Sequence, residues 1–410
     1  MRSAALCLTA FLVSCASCGS DDSKNPASSS GTSASGGTSG TSGNSASGGT
    51  SGGTSGQSSG NASSGGTSGN VDPTTPDDGL IPNTSLWRTK TEWYRVIENA
   101  PKAESSDEMM AAVKTWGKYD VFQIDFSFNV LDGTGGTPTT FPPQDEGDTD
   151  PVPVPVKGYV EGDHAYTDCP VPDEDCHMLI LDKGANRLYE LYQVRKNGAT
   201  WEGYLATWKL DKQYPRSNRG QGCTSADAAG MAITPGLIGY KETKKGEIRH
   251  ALRMIMQNDY IRGVKGDKTV PNVVYPASHG STAGNTTTGV PYGARLRLKT
   301  AIADNDPRLK TPGAKAVAKA LRVYGMILSD GGNLPLVAES AKVAHDADPS
   351  ATWDGLLNPR DLDFLRPSDF EIISIPKADP SQPDAGWYTT KADYNAQLQK
   401  PLGCNGIVQP

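Results

Sequence analysis

Three consecutive segments decide the fold class: His177-Met-Leu-Ile-Leu-Asp182, Arg187-Leu-Tyr-Glu-Leu-Tyr-Gln-Val194 and Thr200-Trp-Glu-Gly-Tyr-Leu-Ala-Thr-Trp-Lys-Leu210. The first is short and apolar. The second alternates, with Leu188, Glu190 and Tyr192 on one face and Tyr189, Leu191 and Gln193 on the other. The third carries Trp201 and Trp208. Lys183-Gly-Ala-Asn186 and Lys196-Asn-Gly198 are turn sequences, and Asn-Gly supplies the positive φ angles that tight hairpins need. Sequential strands joined by tight turns predict an antiparallel meander rather than a βαβ sheet.

Towards the N-terminus, Phe122, Ile124, Phe126, Phe128 and Val130 alternate with Gln123, Asp125, Ser127 and Asn129, a strand with one dry face. Ser105-Ser-Asp-Glu108 is a capping box that predicts a helix running to Trp116, with Gly117 suited to its end. Residues 132–156, rich in Pro, Gly and acids, read as an exposed loop. Towards the C-terminus, residues 247–256, 272–275 and 294–299 read as strands. Thr311 caps a helix with Pro312 at its first position and Val317, Ala320, Leu321 and Tyr324 on its buried stripe. Residues 326–328 are expected to pair with 334–337 across Ser329-Asp-Gly-Gly-Asn333, and a strand at 370–374 closes the domain. The expected fold is mainly β with a few helices: one antiparallel β-sandwich or jelly-roll-like domain following a disordered tether.

The front of the chain is of a different kind. Arg2 precedes an apolar run from Ala4 to Val13 that is too short to span a bilayer. Leu12-Val13-Ser14-Cys15 then matches a bacterial lipoprotein signal, with Cys15 as the lipidated residue and Cys18 a weaker second candidate. The alternative is an ordinary secretory signal cleaved nearby. Ala16 stands where an aspartate signals inner-membrane retention, so the expected location is the outer membrane or cell surface, with membrane contact through the lipid anchor. No charged residue occurs from Asn25 to Val71, a run dominated by Ser, Gly, Thr and Ala with nothing to build a core. The expected organisation is a signal peptide at 1–15, a disordered linker at 16–79 and a β-rich extracytoplasmic domain at 80–410.

The 410 residues carry a formal net charge of −7, which argues against a nucleic-acid partner. The four cysteines beyond the export segment are Cys169, Cys176, Cys223 and Cys404, an even number in an exported domain. Cys169 with Cys176 is the favoured disulfide, leaving Cys223 with Cys404. Zinc ligation competes with this pairing, although zinc cysteine pairs usually lie closer together.

Several motifs recur in fixed order: Thr224-Ser-Ala-Asp-Ala-Ala-Gly230, Gly246-Glu-Ile-Arg-His-Ala-Leu-Arg253, Tyr275-Pro-Ala-Ser-His279, Tyr292-Gly-Ala-Arg-Leu-Arg-Leu-Lys299 and Tyr324-Gly-Met-Ile-Leu-Ser-Asp330. Together with Leu188-Tyr-Glu-Leu-Tyr192, they resemble a family of secreted bacterial proteins over about Leu86 to Glu371. Ser278 stands where that family carries an arginine, and Gly331-Gly332 replaces an Asn-Gly. The resemblance implies export and a shared fold. It implies no reaction.

The densest chemistry lies between Cys223 and Met256. Asp227 sits in a small-residue turn that admits close approach of a backbone or ligand and equally suits a cap or packing corner. His250 has apolar neighbours that favour a core histidine, and its functional reading is a general acid or base with His279 or Asp227. On a regular strand His250 and Arg253 face opposite sides. Arg249 and Arg253, with Arg295, Arg297 and Lys299, suggest either a basic, glycan-binding sheet face or a solvated one. His177, His250 and His279 lack close metal-ligand spacing, so no metal is expected. No Gly-x-Ser-x-Gly elbow, Gly-x-Gly-x-x-Gly or Walker loop occurs, so no cofactor is expected. The leading expectation is a surface-anchored protein acting on polysaccharide, as a glycoside hydrolase or a lyase. Asp227, His250 and His279 would be catalytic, and Arg253 and Arg295 would bind substrate. The alternative is a non-catalytic lipoprotein binding glycan or a partner protein.

Overall fold

The computed structural model describes residues 91–373, apart from 118, 145–146, 168, 170–175, 213, 215–217, 221 and 268–271. Cys15, the 16–79 tether, the start of the 80–410 domain and Cys404 lie outside the described residues. The strands are β1 (Ile124–Phe128), β2 (Val130–Asp132), β3 (Thr137–Thr139), β4 (Val152–Val154), β5 (Tyr159–Val160), β6 (His164–Ala165), β7 (Met178–Asp182), β8 (Arg187–Asn197), β9 (Thr200–Lys209), β10 (Leu252–Met256), β11 (Arg295–Leu298), β12 (Met326–Gly331), β13 (Leu336–Glu339) and β14 (Phe370–Ile372). The helices are α1 (Ser106–Ala112), α2 (Tyr240–Lys245), α3 (Pro312–Val323) and α4 (Lys342–Ala347).

The domain is mainly β with a few helices, as the alternating segments imply. The meander forms as read: β7, β8 and β9 pair antiparallel, with Asn186 and Gly198 at positive φ in the turns. A bulge at Gln193 (φ 50°) interrupts β8. β2 joins this sheet in parallel with β7, giving the order β2-β7-β8-β9.

The second sheet has the order β1-β13-β10-β12-β11-β14 and is mixed rather than purely antiparallel. β1 runs parallel to β13 and β10 parallel to β12, while the β10–β13, β11–β12 and β11–β14 pairs are antiparallel. The expected hairpin between β12 and β13 does not form, because β10 lies between them. Their connection crosses the end of β10, with Gly332 N–H donating to Met256 O (2.9 Å) and Ile255 N–H to Pro335 O (3.0 Å). The strand expected at 247–256 begins only at Leu252. Residues 247–251 are irregular and follow α2, which ends on Gly246 in the left-handed region (φ 78°). The loop at 132–156 contains the small β3–β4 hairpin.

α3 is capped as the sequence predicts. Thr311 Oγ1 accepts from Ala314 N–H (3.1 Å) and donates to Asp361 (2.6 Å). Thr311→Ala is expected to cost about 1–2 kcal/mol, read as a lower urea midpoint. α1 differs in detail: the Ser105 side chain makes no cap, and Ser106 Oγ instead accepts from Ile372 N–H (2.9 Å), docking α1 onto β14. The largest core packs α3 and the Trp116–Phe122–Phe370 cluster against the six-stranded sheet.

One chain passage links the two sheets. After β1 the backbone turns at buried Asn129 and enters the other sheet as β2. Within β1, a bulge between Asp125 and Phe128 leaves Ile124 and Phe126 on the main core and turns Phe128 to the opposite side. There Phe128 joins Leu179, Ala226, Ile233, Leu237 and Val337 in a small core between the sheets. The 225–239 segment threads this layer, and fully buried Glu190 of β8 holds it. The Glu190 carboxylate accepts from Ile233 N–H (3.0 Å), Thr234 N–H and Oγ1 (2.8 Å each) and Trp208 Nε1 (3.1 Å). Burial pushes this carboxyl up, against the pull of those donors.

Candidate functional site

Arg253 is the anchor of the polar layer between the sheets. It points from central strand β10 and is 1% exposed. Its Nε and Nη2 form a bidentate pair with Asp227 (3.0 and 2.9 Å), and Nη2 also reaches Asp330 at the end of β12 (2.9 Å). Phe128 covers the guanidinium at 5.5 Å. Burial works against the charge, but the Asp227 and Asp330 carboxylates outweigh it and raise the pKa of Arg253. Nη1 is buried without a hydrogen-bond partner among the described residues.

The turn carrying Asp227 explains the small residues around it. Ser225 Oγ accepts from Asp227 N–H (3.0 Å) and bonds Met231 O (2.5 Å), which occupies that hydroxyl within the turn. Gly230 has φ +67°, and a Cβ there would lie 2.6 Å from Ser278 Oγ. Gly236 passes so close to the sheet that a Cβ would meet the Trp93 ring at 2.7 Å and Arg253 Cβ at 2.8 Å.

Beside this anchor lies a set of polar groups, buried at His177 and partly exposed at Asp125, Ser127 and Glu161. Ser127 Oγ is 2.7 Å from Asp125 Oδ2 and 3.2 Å from Glu161 Oε1. Glu161 Oε2 is 2.7 Å from His177 Nδ1, and His177 Nε2 is 2.9 Å from Ala226 O. Both ring nitrogens of His177 are therefore engaged. A serine hydroxyl has one hydrogen, so it cannot donate to two carboxylates at once. Both contacts are satisfied when one of the two carboxyls carries a proton. Burial pushes the Asp125 carboxyl up to about 6, and the Glu161 charge acts in the same direction. The Glu161 and Asp330 side chains are 22% and 20% exposed, so the cluster opens to solvent on its carboxylate side.

The sequence-predicted residues are distributed unevenly around this cluster. Asp227 and Arg253 come together, but as a mutually satisfied, buried ion pair. His279 is half-buried beside the same turn, with Nδ1 2.7 Å from Ala228 O and its backbone N–H donating to Ala229 O. His250 is elsewhere. It is fully buried, with Nε2 3.0 Å from Glu242 and Nδ1 2.8 Å from Ala251 O. Burial works against its charge, yet the Glu242 carboxylate raises its pKa. The neighbouring Glu339 carboxyl is pushed up to about 7 by burial. His250 thus ties α2 to β10 and has no surface open to a substrate.

Arg295 does not provide an open cation either. It is 3% exposed, and its nitrogens donate to the carbonyls of Tyr324 (2.7 Å), Glu92 (2.8 Å) and Arg95 (2.8 Å). Burial lowers its pKa to about 10. Arg297 similarly clamps the carbonyls of Ile97, Glu98 and Ala100 and pairs with Glu371. Lys299 reaches Ser368 O. The basic strand face is therefore a clamp on the 92–100 segment, not a polyanion platform.

Cys169 and Cys176 form the expected disulfide. Cys223 is buried and disulfide-bonded, and its expected partner Cys404 lies outside the described residues. His177 and His250 are held in separate networks. Among the described residues no group of three His, Cys, Asp or Glu is arranged to hold a metal ion, and no helix is long and apolar enough to cross a membrane.

The residues that sequence reasoning missed are Asp125, Ser127 and Glu161, with His177 noticed only as a metal candidate. Asp125 and Ser127 were visible as alternate polar positions of one strand. Compared with protein families, curated proteins and solved structures, the chain matches none.

Proposed function

We propose that the domain hydrolyses a neutral glycan, with Asp125 as general acid and Glu161 as nucleophile. The observation that carries this reading is the carboxyl pair bridged by Ser127, one member of which is raised to about 6. Because both contacts meet at one atom, the two carboxyl oxygens lie closer than the ~6.5 Å at which inverting pairs begin, which favours the retaining geometry.

In this mechanism Asp125 gives its proton to the glycosidic oxygen as the bond from that oxygen to the anomeric carbon breaks. Glu161, oriented by His177 and Ser127, forms the covalent bond to the anomeric carbon. Water then attacks that carbon, Asp125 takes the water's proton, and the bond to Glu161 breaks. Arg253 holds Asp330, and Asp227 holds Arg253. A lyase is less well supported, since it needs a cation for the substrate carboxylate and the nearest one, Arg253, is already neutralised by Asp227. The same excess of carboxylates disfavours an anionic polymer. On the lipoprotein reading of Cys15, the linker at 16–79 would present this site to glycan at the cell surface.

Reducing-end release by the full-length protein, with its disulfides intact, tests the assignment through its pH profile. The acid must be protonated, so activity is expected to fall as pH rises through about 6, the raised value of Asp125. The fall should approach tenfold per pH unit, about the limit for loss of one proton. The sign for stability is the same. The folded state binds this proton more tightly than the unfolded chain, so the contribution is full below the ordinary carboxylate range and is lost as pH rises through about 6. Activity that holds level or climbs through that range would remove Asp125 from the acid role.

A further inference from the structure

A second concave site lies away from the carboxylate pair. It is a small cleft lined by Trp93, Trp208, Tyr214 and Tyr275. We propose that this cleft is a sugar-binding subsite that takes one pyranose unit of a neutral glycan. The inference rests on the proposed function only for the class of ligand.

The walls are held in place by the fold. Trp208 is buried and fixed through Nε1 to Glu190 (3.1 Å). Tyr214 accepts from Lys209 N–H through its hydroxyl (2.8 Å) and stands edge-on to Trp208 at 5.2 Å. Trp93 is buried against Gly236, whereas Tyr214 and Tyr275 are half-buried. The two buried tryptophans back the cleft, and the half-buried Tyr214 and Tyr275 rings offer apolar surface to a ligand with a flat apolar face.

The polar edge narrows the chemistry. The Glu92 carboxylate lines the cleft, is 20% exposed, and is oriented by Arg95 (3.3 Å) and Arg295 (3.5 Å). Thr91 also lines the cleft, and its Oγ1 is buried without a hydrogen-bond partner among the described residues. A fixed carboxylate accepts hydrogen bonds, and the hydroxyl can donate or accept. Glu92 is paired with Arg95 and Arg295, so its carboxylate is held as an acceptor for ligand hydroxyls. A chair-form pyranose matches this set, with axial C–H bonds for the rings and hydroxyl donors for Glu92.

The test is a tryptophan-fluorescence titration of the full-length protein, and of its Asp125→Asn variant, with cellohexaose, maltohexaose, laminarihexaose and chitohexaose. A saturable change is expected with at least one of the four in both proteins. Tyr275→Ala should weaken that affinity by about tenfold, from the loss of one ring contact, while Tyr275→Phe keeps it within about threefold. Tyr214→Ala, checked for native circular dichroism, is the second variant should Tyr275→Ala not fold. Silence with all four sugars overturns the cleft, as does a response unaffected by loss of either tyrosine. Saturable, tyrosine-dependent binding without reducing-end release would keep the cleft and remove the hydrolase reading. Release without tyrosine-dependent binding would do the reverse.

Discussion

Asp125→Asn and Glu161→Gln are each expected to lower glycan turnover by about 10²–10⁴-fold, the range for removing an acid–base group or nucleophile. The folds should survive, because both side chains sit at the partly exposed edge of the inter-sheet layer. The two variants should differ in a second respect. Asp125→Asn cannot titrate, so any residual activity should lose the fall above about 6. Glu161→Gln should keep that fall, at a lower value, because the Glu161 charge helps to raise Asp125. Ser127→Ala breaks the bridge without removing either carboxyl and should therefore cost less than either substitution. Reducing-end assays on purified, folded proteins check all three. Equal activity in wild type and Asp125→Asn would leave the cluster a purely structural network.

The second large effect concerns stability. Arg253→Met leaves Asp227 buried at 1% exposure with its main partner gone, and breaking a buried pair from one side costs about 3–5 kcal/mol. Asp227→Leu should cost a similar amount, since it strands the guanidinium. The double variant should be less destabilised than the sum of the two, because no isolated charge then remains. Urea unfolding of the four proteins closes this cycle. Strict additivity would show that the contact is not the source of the loss.

Local features carried much of the architecture in the sequence. The β7–β8–β9 meander follows from alternation and short turns within a few residues of each pairing. The Thr311–Pro312 helix start follows from cap chemistry in the same way. Pairing order in the larger sheet did not, because β10 reaches β12 only after a long excursion through β11 and α3. Adjacent segments such as β12 and β13 look like a hairpin unless the strand between them is known. α2 was hidden because six residues, Tyr240–Lys245, give too little periodicity to register.

The same reason separates the expected site from the observed one. Asp227 and Arg253 were legible as chemically capable residues near each other in sequence, and they do meet. Their proximity makes them partners of one another rather than of a substrate. The pair proposed to act on glycan comes from positions 36 residues apart, 125 and 161, one on a strand and one in a short turn after β5. Sequence showed the polar face of β1 but gave no means of finding what stands opposite it. His250 was visible as a histidine with apolar neighbours, and burial against Glu242 is what such a position becomes when a carboxylate is available.

In the proposed mechanism Asp125 and Glu161 form a retaining hydrolytic pair. Proton NMR of the first product formed by the full-length protein from the neutral hexasaccharides tests it most directly. The account predicts a new reducing end of the same anomeric form as the linkage cleaved, with no unsaturated sugar. An inverted anomer, an unsaturated product, or no cleavage of any hexasaccharide would contradict it.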